Sequence, residues 1–277
     1  MLELYSAPQS TCSQKVRLTL AEKNLNFVEH KMKLFQNDQL KPEYLKLNPN
    51  GVVPTLVDDG TPIIDSSVIM EYLDEVYPEI ALSPAEPKQR AHMRAWLRFF
   101  EEVPTVAVRF PSYNAAFARH FEKMSDEEFQ ALAKSKPIRD KFLGEMDKQK
   151  GFSIEKLKQA EDSISKTVKR MENPLSQSEY LLGKNLTLAD FAVLPSMIRM
   201  EDLGYEFLWK DCPGVAAWMV RMKTGDHTAP RITRDRCYLN NTPEFGKSIK
   251  VAGRSHSLIV LPSWAHMCIG SSFATSR

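Results

Sequence analysis

Asn48-Pro49-Asn50-Gly51-Val52-Val53-Pro54-Thr55-Leu56-Val57-Asp58-Asp59-Gly60-Thr61-Pro62-Ile63-Ile64-Asp65-Ser66 decides the architecture of the first third of the chain. Two strand-like runs, 53–58 and 62–65, flank Asp59-Gly60-Thr61, and a turn signal between such runs predicts a β-hairpin. Pro54 stands at the head of the first run. A cis Val53–Pro54 bond there would turn the backbone and present the polar groups of Val53 to a ligand; a trans proline opening an edge strand is the alternative. Working outward, residues 2–6 alternate as a strand, and residues 13–23 carry Val16, Leu18, Leu20 and Ala21 mostly at helical spacing. Residues 25–31 alternate again, so a βαβ unit with parallel pairing precedes the hairpin. Downstream, Val68, Ile69, Tyr72, Leu73 and Val76 return to helical spacing. The order is β-α-β-β-β-α, with an irregular stretch before the hairpin.

Tyr77-Pro78 and Ser83-Pro84-Ala85-Glu86-Pro87 interrupt helix and read as a linker, placed at 81–88 between a domain over 1–80 and another over 89–224. The second domain carries little β pattern and reads as an all-α bundle, with helical stretches over 90–103, 127–134, 154–171, 188–200 and 215–222. Thr187-Leu188-Ala189-Asp190 has the form of a capping box, which fixes a helix start and carries no chemistry. Residues 104–153 turn polar and read as a surface insertion or a lid beside a site. Over 225–277 the pattern decays into a Ser-rich, basic tail with seven Lys plus Arg against three Asp plus Glu, to which no function is assigned.

Composition narrows the function. Of 277 residues, 43% are apolar and 26% charged, so a packed core is expected. A net charge of +2 offers no basic surplus for a nucleic-acid backbone. No apolar run approaches the roughly 18 residues of a membrane span, and the N-terminus lacks the pattern of a secretory leader, so a cytoplasmic protein is expected. Cys12, Cys212, Cys237 and Cys268 are scattered, and the six histidines show no ligand spacing. Neither a disulfide framework nor a metal is expected.

Three features of the first domain can carry chemistry. Ser10-Thr11-Cys12-Ser13 lies between the first strand and helix, where unpaired backbone N–H groups and a hydroxyl can hold an anion and push a bound thiol toward thiolate. The plain alternatives are a helix cap and a small buried cysteine. The second feature is the Val53-Pro54 turn. The third is Asp65-Ser66 at the next helix start, able to hold the amine and carboxylate of an amino-acid moiety, or simply to cap.

In order and spacing, these features together with Leu4-Tyr5-Ser6, Val16-Arg17, Asn48-Pro49, Ile69-Met70-Glu71-Tyr72-Leu73, Tyr77-Pro78 and Leu186-Thr187-Leu188-Ala189-Asp190 resemble the cytosolic glutathione transferase family over about residues 1–224. The resemblance implies a thioredoxin-like α/β domain followed by an all-α helical bundle, with glutathione as cosubstrate. It also implies a small-molecule electrophile as substrate and a homodimer. Ser10-Thr11-Cys12-Ser13 looks like the stretch found in zeta-class isomerases and reductive dehalogenases. Arg90-Ala91-His92-Met93-Arg94-Ala95-Trp96 and residues 123–129 look like bacterial lignin β-etherases. By this resemblance Val53 and Pro54 would meet the cysteinyl backbone of glutathione, with Thr11 nearby, and Asp65 and Ser66 would hold its γ-glutamyl group. Ser10 is the first choice for the thiolate-stabilising hydroxyl and Ser13 the second. Cys12 is the centre of a rival thiol-disulfide chemistry, and a non-catalytic interaction protein with the same fold is a further alternative.

Overall fold

The computed structural model describes residues 1–224; the tail expected over 225–277 lies outside the described residues. Strand β1 (Leu2–Ser6) buries Leu2, Leu4 and Ser6 and leaves Glu3 and Tyr5 partly exposed, the period of two expected of a half-covered strand. It pairs in parallel with β2 (Val28–Lys31) and antiparallel with β3 (Thr55–Asp58), which pairs antiparallel with β4 (Thr61–Ile64), giving the order β2-β1-β3-β4. The hairpin turns on Asp59 and Gly60, both at positive φ (44° and 83°), as a two-residue turn between twisted strands requires.

Helix α1 (Thr11–Glu22) follows β1, and every residue from Ser13 to Leu20 is buried, including Gln14, Lys15 and Arg17. The reason is placement: α1 packs against both α3 (Ser66–Val76) and α10 (Leu188–Asp202), so it has no solvent face along these turns. The irregular stretch before the hairpin contains a six-residue helix, α2 (Pro42–Leu47), opened by Pro42 in the first turn. Six residues are too few for a periodic signal to emerge. After α3, the Asp74 carboxylate accepts from Lys23 Nζ at 2.8 Å and from the Leu82 N–H at 2.8 Å, tying the proline-rich connection to α1.

The helical part comprises α4 (Pro87–Glu102), the short α5 (Pro104–Ala107) and α6 (Arg109–Ser112), a π-helical turn (Tyr113–Phe117), α7 (Asp126–Lys134), α8 (Asp140–Gly144), α9 (Ile154–Leu175), α10 and α11 (Pro213–Thr224). One apolar cluster runs from Leu4 and Leu56 of the sheet through Ile69 and Leu73 to Met171, Phe191 and Trp218. The polar-looking segment after α5 builds a second cluster of its own around Phe121, Phe129, Met146 and Phe152. Among the described residues, no helix is long and apolar enough to cross a membrane.

The capping box at Thr187 and Asp190 forms, and it does more than start α10. The fully buried Asp190 carboxylate accepts from the Leu181 N–H, the Thr187 N–H, the Thr187 hydroxyl and Trp218 Nε1, at 2.9–3.1 Å. It therefore joins α10, α11 and the loop before α10. Burial pushes its pKa above the ordinary carboxylate value, while the four donors oppose that rise. Asp190→Ala strands several buried donors and is expected to cost about 3–5 kcal/mol, read as a lowered urea midpoint. A loss under about 1 kcal/mol would show that water replaces the carboxylate at no great cost.

Candidate active site

The N-terminus of α1 opens into a cleft of about 200 Å³. Ser10, Thr11, Cys12 and Val53 line it, facing side chains from the helical part. Ser10 caps α1: its Oγ accepts from the Ser13 N–H at 3.2 Å, which leaves its proton available to an acceptor in the cleft. Cys12 is half-buried at the same helix end. Ser13 is fully buried, its Oγ accepts from the Ala7 N–H at 3.3 Å, and it does not line the cleft.

The Val53–Pro54 peptide is cis. Beneath the turn, Tyr44 donates to the Val52 carbonyl at 2.6 Å and Asn48 Nδ2 donates to the same oxygen at 2.9 Å. Both side chains also bond Thr55 Oγ1, at 2.8 and 3.0 Å. Burial pushes the Tyr44 hydroxyl up to about 12, so it remains a neutral donor at all ordinary pH. This buried frame holds the turn while the N–H and carbonyl of Val53 have no hydrogen-bond partner among the described residues. Pro54 itself is buried and outside the cleft.

Asp65 and Ser66 stand at the start of α3 and do not line the cleft. Exposed Asp65 accepts from the N–H groups of Ser67 and Val68 at 3.0 and 3.2 Å, with φ at +73°, a conformation that costs a non-glycine residue energy and clusters at ligand sites. Ser66 is buried, and its hydroxyl donates to Glu101 Oε1 at 3.3 Å. That oxygen also accepts from Ser67 at 2.8 Å and from Lys15 Nζ at 2.7 Å, so α1, α3 and α4 meet on one carboxylate. Burial alone would raise the Glu101 carboxyl, but the Lys15 ammonium and the hydrogen bonds from Lys15, Ser67 and Ser66 outweigh it and hold its pKa below the usual value.

The opposite wall was not legible as a site. It comes from the segment expected to be an insertion or lid: Arg109, Tyr113, Phe117 and Phe121 recur every four residues through α6 and the π-helical turn. That spacing in the sequence is the signal that could have found it. Phe35, from the loop after β2, stacks on His120 at 3.7 Å and tilts against Phe117 at 5.5 Å, and Lys136 Nζ donates to Asn37 Oδ1 at 2.9 Å. Burial pushes Lys136 down to about 8. Among the described residues, no group of three His, Cys, Asp or Glu could hold a metal ion.

A four-stranded mixed sheet with a helix N-terminus and a Val53-Pro54 turn on one cleft, followed by a helical bundle, defines a class. Residues 9–76 match the family model for the N-terminal domain of glutathione S-transferase and residues 126–224 match that for its C-terminal domain. The chain belongs to the glutathione S-transferase family. It is 33% identical over 228 residues to protein LigF of Sphingobium sp. (strain NBRC 103272 / SYK-6), covering 80% of this chain and 89% of that one. The crystal structure of beta-etherase LigF from that strain superposes with a TM-score of 0.76 at 31% identity, over 84% of this chain and 99% of the other. A zeta-class glutathione S-transferase of Euphorbia esula is 43% identical over 90 residues, 32% of this chain and 40% of that one.

The Glu101 cluster has a pH signature. Its folded pKa lies below the unfolded value near 4.5, so its stabilisation is complete above that pH and is lost as the pH falls through the lower folded value. Glu101→Gln leaves the Lys15 ammonium buried without its counter-charge and is expected to cost on the order of 3 kcal/mol at pH 7. Urea unfolding of both proteins at pH 7 and near pH 3.5 checks this: the gap should narrow in acid, and a gap that does not change with pH would refute the assignment.

Proposed function

We propose that this protein uses the thiolate of glutathione to displace a leaving group from an electrophilic aromatic or aryl-ether compound. One observation carries the reading: the Ser10 hydroxyl, with its proton unspent, and the unpaired backbone of Val53 face the same cleft at the N-terminus of α1. In this reading Val53 pairs with the cysteinyl backbone of glutathione, and Asp65 and Ser66 hold its γ-glutamyl group. Thr11 adds a hydroxyl at the helix end. Ser10 donates to the thiolate, and the helix N-terminus adds partial positive charge. Lowering a thiol pKa from about 8.5 to about 6.5 needs roughly 2.7 kcal/mol, which one charge-assisted hydrogen bond and a helix end can supply. The thiolate sulfur then forms a bond to carbon as the bond from that carbon to an aryloxide or halide breaks, leaving a thioether.

An aryloxide leaving group is favoured by the likeness to a protein described as a beta-etherase and by the aromatic wall of Phe35, Tyr113, Phe117 and Phe142. Ser10 is preferred to Ser13 because Ser13 is sealed beneath the helix end. The proposal includes a two-fold homodimer in the cytoplasm, with a glutathione-binding domain over 1–80, a linker over 81–88 and a substrate-binding domain over 89–224. A second reading, thiol-disulfide chemistry at Cys12, is favoured by the position of that thiol on the cleft wall.

Asp65→Ala is expected to weaken glutathione binding by about 1.5–3 kcal/mol in isothermal titration, the scale of hydrogen bonds to a charged group. Unchanged affinity in a folded variant removes Asp65 from the site. Ser10→Ala is expected to raise the pH of half-maximal turnover by about one to two units, since the thiolate loses a donor that favoured it. Cys12→Ala should then retain most substitution activity. Steady-state rates on an aryl ether and on a chloronitrobenzene are the check, and loss of activity in Cys12→Ala with none in Ser10→Ala moves the assignment to thiol-disulfide exchange.

A further inference from the structure

The cleft carries an excess of positive charge. Arg109, Lys136, Arg139 and Arg199 line it, and no Asp or Glu does. Two of these cations are engaged within the protein. Arg199 donates to the Gln9 carbonyl at 2.9 Å and to Ser112 Oγ at 3.3 Å, and Lys136 to Asn37. Arg109 and Arg139 are different: neither guanidinium has a hydrogen bond, ion pair or ring contact among the described residues. The nearby carboxylate, Glu101, is committed to Lys15, Ser66 and Ser67. Elsewhere guanidiniums are matched, as Arg94 is by Glu71 and Arg170 by the Trp96 and Phe99 rings.

Arg109 and Arg139 also repel each other in a poorly solvated place. Burial and the neighbouring Arg139 push Arg109 down to about 10, which still leaves it charged at neutral pH. Tyr113 lies four residues after Arg109, and Phe142 three after Arg139, the N-cap of α8. The two rings meet edge to face at 4.9 Å. Two unmatched guanidinium forks and these rings lining one cleft suit a flat aromatic body carrying a carboxylate, which a guanidinium binds with two parallel hydrogen bonds.

We infer that Arg109 and Arg139 form an anion subsite for the second substrate, and that the preferred electrophile is an aromatic compound bearing a carboxylate rather than a neutral one. The inference rests on the glutathione chemistry proposed for the same cleft, and it names the substrate class.

The test is equilibrium binding of two adducts, S-benzylglutathione and S-(4-carboxybenzyl)glutathione, measured by titration calorimetry on the full chain. Both carry the same glutathione portion, so only the added carboxylate distinguishes them. The expected result is a preference of about tenfold or more for the carboxylated adduct, falling to near unity in Arg109→Leu and in Arg139→Leu. Arg109→Lys, which keeps the charge but not the fork, should retain part of it and guards against a leucine variant that fails to fold. Equal binding of the two adducts to the unaltered protein overturns the inference while leaving the glutathione reading standing. A preference that survives both leucine substitutions overturns the assignment to these residues. Binding of neither adduct brings down the glutathione reading itself, and the subsite with it.

Discussion

The ion pair between Lys15 and Glu101 is the constraint around which the two halves of the chain are arranged. Lys15 is fully buried in the middle of α1, and its ammonium is satisfied by Glu101 at 2.7 Å and by Thr105 at 3.2 Å, both from the helical part. Leaving this buried charge unmatched is costly, so α1 cannot leave α4 without a cost of several kcal/mol. A pair of this kind adds little net stability over apolar packing; its effect is to fix one orientation among many. Because the same carboxylate accepts from Ser66 and Ser67, that orientation also fixes the start of α3. The helix end carrying Ser10, the helix start carrying Asp65, and the wall carrying Arg109 are thereby held in one relation.

Legibility from sequence followed the strength of local signals. The strand around Leu4 alternates cleanly, and Asp59-Gly60 can hardly be anything but a turn, so the sheet was readable. The cap at Ser10, the turn at Val53-Pro54 and the helix start at Asp65 were readable as local structure because each has a local chemical meaning. That Ser13 is sealed off and Ser10 is not could not be read, since both stand at the same helix end and only the packing of α1 on its neighbours separates them. Lys15 and Arg17 look like surface residues in one dimension. Their burial follows from partners elsewhere in the chain, Glu101 and Thr105 for Lys15 and Ser6 and Glu29 for Arg17, information that no local pattern holds. The far wall of the cleft was hidden for a related reason: between 104 and 153 the helices are short, a π-helical turn shifts the register, and abundant charge masks the aromatic positions.

The two walls of the cleft are built in different ways. A backbone turn framed by Tyr44, Asn48 and Thr55 leaves little room for variation, because each buried hydroxyl or amide must keep its partner. The opposite wall is built of side chains on short helices whose apolar cluster can be repacked, and it is there that a second substrate would be told from another.

Charge ties the two walls together. Attack by a thiolate on a molecule that already bears a carboxylate brings two negative charges into one poorly solvated cleft, where their repulsion is larger than in water. Two guanidiniums without internal partners offset it, and the bound anions in turn relieve the repulsion between Arg109 and Arg139. Glutathione alone, anchored at Val53 and Asp65, would satisfy the α1 end of the cleft and leave that repulsion in place. The pair of arginines is therefore matched by the carboxylate of the second substrate and not by glutathione.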